Sequence, residues 1–115
     1  MSVTIYHNPR CSKSRQTLAL LRDKGTEPEI IEYLKTPPGK KELKDMLEKL
    51  GLSPRELMRK KEAAYKDNQL DDESLSDDQL LDAMIEHPVL IERPIVLANN
   101  KAIIGRPPES VLDIL

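Results

Sequence analysis

Apolar and polar positions change their period several times along this chain, and each change marks a different kind of element. Val3 and Ile5 alternate with Thr4 and Tyr6, a period of two that predicts a short β-strand. Leu18, Leu20 and Leu21 then supply a helical stripe, with Gly25 placed to end the helix. Residues 29–34 return to strand character through Ile30, Ile31, Tyr33 and Leu34. Strand, helix and strand in this compass make a βαβ unit, and its crossover helix makes the two strands parallel.

Thr36-Pro37-Pro38-Gly39 breaks that pattern. Leu43, Met46, Leu47 and Leu50 fall at i, i+3, i+4 and i+7, predicting an amphipathic helix stopped by Gly51. Ser53-Pro54-Arg55-Glu56 is a capping box with proline at the first helical position, and Ser76 with Gln79 repeats the device before Leu80, Leu81, Met84 and Ile85. Residues 40–86 therefore form a helical insertion, with the acidic run 71–78 as a solvated loop. The apolar, β-branched run Val89–Leu97 predicts a third strand, where Pro94 belongs at a strand start or an edge. Asn99-Asn100-Lys101 turns the chain into Ala102–Gly105, completing a hairpin, and Pro107-Pro108-Glu109 opens a short final helix. The expected class is α/β. Residues 1–115 make one domain, in which β-α-β and β-β-α halves share a mixed four-stranded sheet and the insertion (about 40–86) separates strands two and three.

Composition narrows the class of partner. Phe and Trp are absent, so the core rests on Leu, Ile, Val and Met. Eighteen basic and twenty acidic residues give a net charge of −2, which provides no global field for nucleic acid or a membrane surface. No apolar stretch reaches membrane-spanning length, and the first six residues lack the basic and apolar regions of a signal peptide. With a single cysteine, these features predict a cytoplasmic protein.

That cysteine is the candidate for chemistry. Cys11 lies in His7-Asn8-Pro9-Arg10-Cys11-Ser12-Lys13-Ser14-Arg15, between the first strand and the first helix. A helix N-terminus favours negative charge, and Arg10, Lys13 and Arg15 add cations, so the thiol is expected to ionise readily into a nucleophilic thiolate. An inert, buried thiol is the alternative, but its usual apolar neighbours are missing. Since no second cysteine exists, a redox cycle requires an external thiol. A dithiol exchange enzyme would need cysteine where Ser14 stands. A small cysteine phosphatase would need arginine six positions beyond Cys11, where Thr17 stands. One cysteine and two distant histidines give no metal-ligand spacing, so no metal is expected. From position alone, Arg55 and Arg59 read as charges on a solvated helix face, Arg93 and Arg106 as rim charges flanking the hairpin, and His7 as a strand-end residue.

Asn8-Pro9-x-Cys11-x-x-Ser14-Arg15, Glu92-Arg93-Pro94-Ile95, Gly105-Arg106-Pro107 and Leu57-Met58-Arg59 resemble, in order, the motifs of the ArsC arsenate reductase family, which has a thioredoxin-like fold. The resemblance implies an oxidoreductase of arsenic resistance with Cys11 as nucleophile and Arg59, Arg93 and Arg106 as oxyanion-binding residues. It implies that His7, Ser14 and Arg15 support the thiolate and its loop, and that a cis peptide precedes Pro94. Arsenate would be the substrate and glutathione the co-substrate, with glutaredoxin as partner and no bound cofactor. The competing expectation is an ArsC-like thiol-sensing regulatory or binding protein without reductase activity; Ser14, in place of a second cysteine, argues against a disulfide sensor.

Overall fold

The computed structural model describes residues 2–115. They form two compact units, one made of the chain up to Thr36 together with Arg93–Leu115, the other of Pro37–Glu92.

The first unit holds the sheet. Strands β1 (Val3–His7), β2 (Glu29–Glu32), β3 (Ile95–Ala98) and β4 (Lys101–Ile104) run in the order β2-β1-β3-β4. β1 and β2 are parallel, with His7 opposite Glu32, whereas β3 is antiparallel to both β1 and β4. The expected mixed four-stranded sheet is present. Helix α1 (Ser12–Asp23) crosses between β1 and β2 and ends as anticipated, with Gly25 in the left-handed conformation just beyond Lys24. Val3, Ile5, Leu21, Val96, Ala98, Val111 and Ile114 form one apolar core, with Leu18 and Leu20 packed against it.

The buried face of α1 begins with polar residues. Ser14, Thr17 and Leu21 are all fully buried, at the i, i+3, i+7 spacing of one helix face. Both hydroxyls have local partners: Ser14 Oγ accepts from the Asn8 N–H at 3.0 Å, and Thr17 donates to the Lys13 carbonyl at 2.8 Å. Satisfying these groups locally removes the penalty of burying them. Thr17 also sits hard against Gly105, just past β4, because a Cβ built on Gly105 would lie 2.6 Å from Thr17 Oγ1 and 2.9 Å from Pro94 Cγ.

Three segments differ from the sequence expectation. The third strand starts at Ile95, not Val89: Pro88–Leu90 is a 3₁₀ turn and Ile91 makes an isolated bridge with Met58. Pro88 just before that run and Pro94 within it remove ladder donors and restrict the backbone, so its apolar content is used in packing instead. β2 stops at Glu32, leaving Tyr33 beyond the ladder, and the last helix is a 3₁₀ segment, Pro108–Ile114.

The second unit contains α2 (Lys40–Leu50), α3 (Pro54–Leu57), α4 (Ala63–Asp67) and α5 (Asp77–Glu86). Both predicted capping boxes close, Ser53 with Glu56 and Ser76 with Gln79, each hydroxyl satisfying an otherwise orphaned amide. Helix α4 has no counterpart in the sequence reading. Its five residues are too few to show a period, and it is held instead by Arg55, which donates to the Tyr65 hydroxyl at 2.8 Å and to the carbonyls of Leu70 and Asp72 at 2.6 and 2.9 Å. Arg55 is thus a staple within this unit, and the surface-charge reading is corrected. Among the described residues, no helix is long and apolar enough to cross a membrane.

Candidate functional site

The loop between β1 and α1 is tied down residue by residue. Asn8 Oδ1 accepts from the Arg10 N–H at 3.0 Å, while the Asn8 carbonyl accepts from the Cys11 N–H at 3.0 Å. Cys11 is the N-cap of α1, in extended backbone conformation (φ −95°, ψ 123°), and its carbonyl starts the helical ladder by accepting from the Arg15 N–H. The Arg15 guanidinium reaches back to the Pro9 carbonyl at 3.0 Å. Sequence placed Arg15 as a support of this loop, and its side chain is located where that role is physically available.

Ser14 connects the loop to β1. Its hydroxyl oxygen is 2.6 Å from His7 Nδ1 and accepts from the Asn8 N–H. With one lone pair taken by that amide, the hydroxyl proton is available for Nδ1, which fits a neutral imidazole protonated on Nε2. Burial holds the His7 imidazole below its ordinary pKa; Glu32 opposes this and Arg22 and Arg15 add to it. His7 therefore reaches Cys11 through Ser14, as a neutral partner of the loop.

Cys11 is buried, and Arg93 and Arg106 are the cations near its sulfur. Burial pushes the thiol pKa up, but the Ser14 amide, the Arg93 guanidinium and the Lys13 amide together bring it below the ordinary cysteine value. No capping hydrogen bond closes on the neutral side chain. The amides at the helix start instead stabilise the sulfur when it is charged, as expected of a site with unsatisfied N–H groups and a positive dipole end. Arg106 Nη2 lies 3.6 Å from Cys11 Sγ, and its Nε donates to the Arg93 carbonyl at 2.8 Å. Arg93 lies within electrostatic reach of Cys11 and Tyr33, which favour its charged form against the cost of burial. The bonds before Pro94 and Pro107 are both cis.

Of the predicted site residues, the first unit brings together Cys11, His7, Ser14, Arg15, Arg93 and Arg106. Arg59 belongs to the second unit, where its guanidinium pairs with Glu62 at 3.1 Å and Glu92 at 3.4 Å. It lies outside any helix, and its amide donates to the Leu90 carbonyl at 2.7 Å, so the helix-face alternative does not hold. Sequence reasoning missed Tyr33, which looked like one more apolar strand residue. Among the described residues, no cluster of three His, Cys, Asp or Glu side chains is arranged to hold a metal.

An ionisable cysteine capping the first helix, beside a loop containing a cis-proline, in a β-α-β/β-β-α sheet, defines a thioredoxin-like domain built around one thiol. The chain belongs to the ArsC family, whose model matches residues 6–114. An arsenate reductase from Vibrio cholerae has the same fold, with a TM-score of 0.97, 59% identity, and coverage of 100% of this chain and 98% of that one. The uncharacterized protein YfgD of Escherichia coli K12 is 59% identical over 114 residues, 98% of this chain and 96% of its own. An arsenate reductase of Neisseria meningitidis serogroup B is 53% identical over 114 residues, covering 98% and 97%.

Proposed function

We propose that this protein reduces arsenate to arsenite through Cys11, with glutathione as co-substrate and glutaredoxin as the recycling partner. The observation that carries this reading is a lone thiol, its pKa lowered, with Arg93 and Arg106 on its sulfur. Relatives at 53% identity bear the name arsenate reductase, which supports the same choice of anion. Guanidinium groups offer paired donors in a rigid plane, matched to a tetrahedral oxyanion, and their charge is permanent.

The reaction balances with two thiols. The Cys11 thiolate attacks As(V), an As–S bond forms and one oxygen leaves as water. Glutathione sulfur then attacks the cysteine sulfur, the As–S electron pair stays on arsenic, and arsenite departs as As(III). Cys11 is left as a mixed disulfide with glutathione. Overall, one arsenic acid and two thiols give one arsenous acid, one water and one disulfide. Glutaredoxin then takes the glutathionyl group by thiol–disulfide exchange, restoring the Cys11 thiol. In this scheme Arg93 and Arg106 bind the oxyanion, Ser14 and neutral His7 order the loop, and Arg15 clamps it. The reaction suits a reducing cytoplasm.

Arsenite formation by the purified protein with arsenate, glutathione and glutaredoxin tests the proposal. Turnover is expected, and Cys11→Ser is expected to abolish it. Folded protein with a reduced Cys11 that forms no arsenite would overturn the reading in favour of a binding or sensing role.

A further inference from the structure

The ladder between β3 and β4 ends at Pro94 and Gly105. Ile95 is opposite Ile104, so one further step of the register sets Pro94 opposite Gly105. A hydrogen-bonded antiparallel pair exchanges two bonds, one in each direction. Here only one can form: the Gly105 N–H donates to the Pro94 carbonyl at 2.9 Å, and Pro94 has no N–H to return. The Gly105 carbonyl thus lacks its ladder donor at a buried position. A buried carbonyl without a donor is costly, so a partner from outside the ladder is required.

That partner comes from α1. Thr17 is fully buried, and its hydroxyl donates to the Gly105 carbonyl at 3.4 Å, across 88 positions of sequence. Gly105 permits the approach because it has no side chain; a Cβ there would lie 2.6 Å from Thr17 Oγ1. The hydroxyl also reaches back to the Lys13 carbonyl at 2.8 Å, the usual bond of a threonine inside a helix, so its one proton is shared between two acceptors. Lys13 lies within the α1 ladder, whereas the Gly105 carbonyl has been denied its own.

The residue after Gly105 is the arginine at the sulfur. Arg106 Nη2 is 3.6 Å from Cys11 Sγ, and its Nε donates to the Arg93 carbonyl at 2.8 Å. Cys11 caps α1, and Thr17 stands further along the same helix. The thiol and the hydroxyl therefore share one rigid element, and the hydroxyl grips the residue next to Arg106.

We propose that Thr17 is a positioning residue: its hydroxyl replaces the N–H that Pro94 lacks and holds the Gly105–Arg106 segment so that the Arg106 guanidinium stays at the Cys11 sulfur. The inference rests on Cys11 as the reactive group of the function proposed above, but its test needs no arsenate, so failure of one is distinguishable from failure of the other. Cys11 is the only thiol, and the alkylation rate of the intact protein reports on it alone.

The test is the pH profile of iodoacetamide alkylation for Thr17→Val, which keeps the branched shape and removes the hydroxyl. Thr17→Ala is prepared in parallel, and whichever of the two retains the wild-type circular dichroism is used; Thr17→Ser is the rescue. On the acid limb alkylation should slow roughly threefold, approaching wild type at alkaline pH where both thiols are ionised. Thr17→Ser should follow the wild-type profile. In an Arg106→Ala background, loss of the hydroxyl should have almost no further effect. A folded hydroxyl-free variant with the wild-type profile overturns the proposal. So does a Thr17→Ser protein slowed as much as that variant, or an equal slowing without Arg106. Should neither hydroxyl-free variant fold, the wild-type protein decides by NMR: a deuterium isotope shift from the Thr17 hydroxyl on the Gly105 carbonyl carbon supports the role, and its absence refutes it.

Discussion

Gly105 offers the sharpest test of how the fold sets the site. Its φ lies outside the left-handed region, so its importance is spatial: a methyl group there would sit 2.6 Å from Thr17 Oγ1, 3.1 Å from Thr17 Cγ2 and 2.9 Å from Pro94 Cγ. Two of these distances are far below van der Waals contact, and the third is tighter than most. Neither neighbour yields easily, because Thr17 is β-branched and fully buried within α1, and Pro94 is a ring at the head of β3. Overpacking of this kind costs about 1–3 kcal/mol, and for a chain of this size that is a melting temperature lower by about 4–12 °C. The cost should also fall on the chemistry. The Gly105 N–H donates to the Pro94 carbonyl at 2.9 Å, and the adjoining residues are Arg106 and Arg93. Pushing this segment from α1 moves both guanidiniums relative to Cys11, which caps α1.

Thermal unfolding and Cys11 alkylation of Gly105→Ala, alone and with Thr17→Ala, make the test. Thr17→Ala removes two of the three close neighbours, so Gly105→Ala should cost about 1 kcal/mol less in that background. A cost below about 0.5 kcal/mol for Gly105→Ala, or strict additivity with Thr17→Ala, would refute the packing argument. Loss of stability with unchanged alkylation would refute the link to the arginines.

Three further outcomes are expected. Arg93→Ala should weaken arsenate turnover roughly 10–100-fold, the scale of a lost charge-assisted hydrogen bond, against a change of less than about threefold for the exposed Arg10; equal losses in steady-state kinetics would make the effect one of general charge. The native Cys11 thiol releases its proton below the ordinary value despite burial, through the Ser14 amide and Arg93, so across that window the unfolded chain holds more protons and stability rises with pH. Denaturant titrations should show wild type gaining on Cys11→Ser up to about pH 8.5, where the unfolded thiol has ionised, and losing that gain as pH falls through the native value. His7 has the same sign: burial disfavours its charged form, so its contribution is complete above about pH 6.5 and lost under acid. His7→Gln should flatten the acid limb of stability, and an unchanged limb would place the acid-sensitive group elsewhere.

Periodic segments were the legible part of the fold. α2 declared itself because Leu43, Met46 and Leu47 repeat at helical spacing, and the structure buries those three. The βαβ unit was legible for the same reason. Where the chain lacked a period the reading failed, as in α4, which exists because Arg55 donates three hydrogen bonds across residues 65–72. The run 89–97 failed differently. It is mostly apolar and rich in β-branched residues, but Glu92 and Arg93 interrupt it, and Pro88 and Pro94 deny it the donors and backbone freedom of a continuous strand. Burial drives the run inward, and the prolines decide its conformation.

The site divides along similar lines. A thiol at a strand-to-helix junction with cations in sequence was readable because every contributing group is local: Asn8, Ser14 and Arg15 are within four residues of Cys11 and bond within the same loop. Arg93 and Arg106 stand more than eighty positions away, and spacing carried no sign that they converge; their motifs did, through family resemblance. Tyr33 had neither advantage. It sits in a hydrophobic stretch whose Ile30 and Leu34 are exposed, yet its own side chain is almost fully buried, a difference that the sequence pattern does not show. Residues that meet only across the sheet are therefore the ones a sequence conceals, and they become visible when strand order assigns their neighbours.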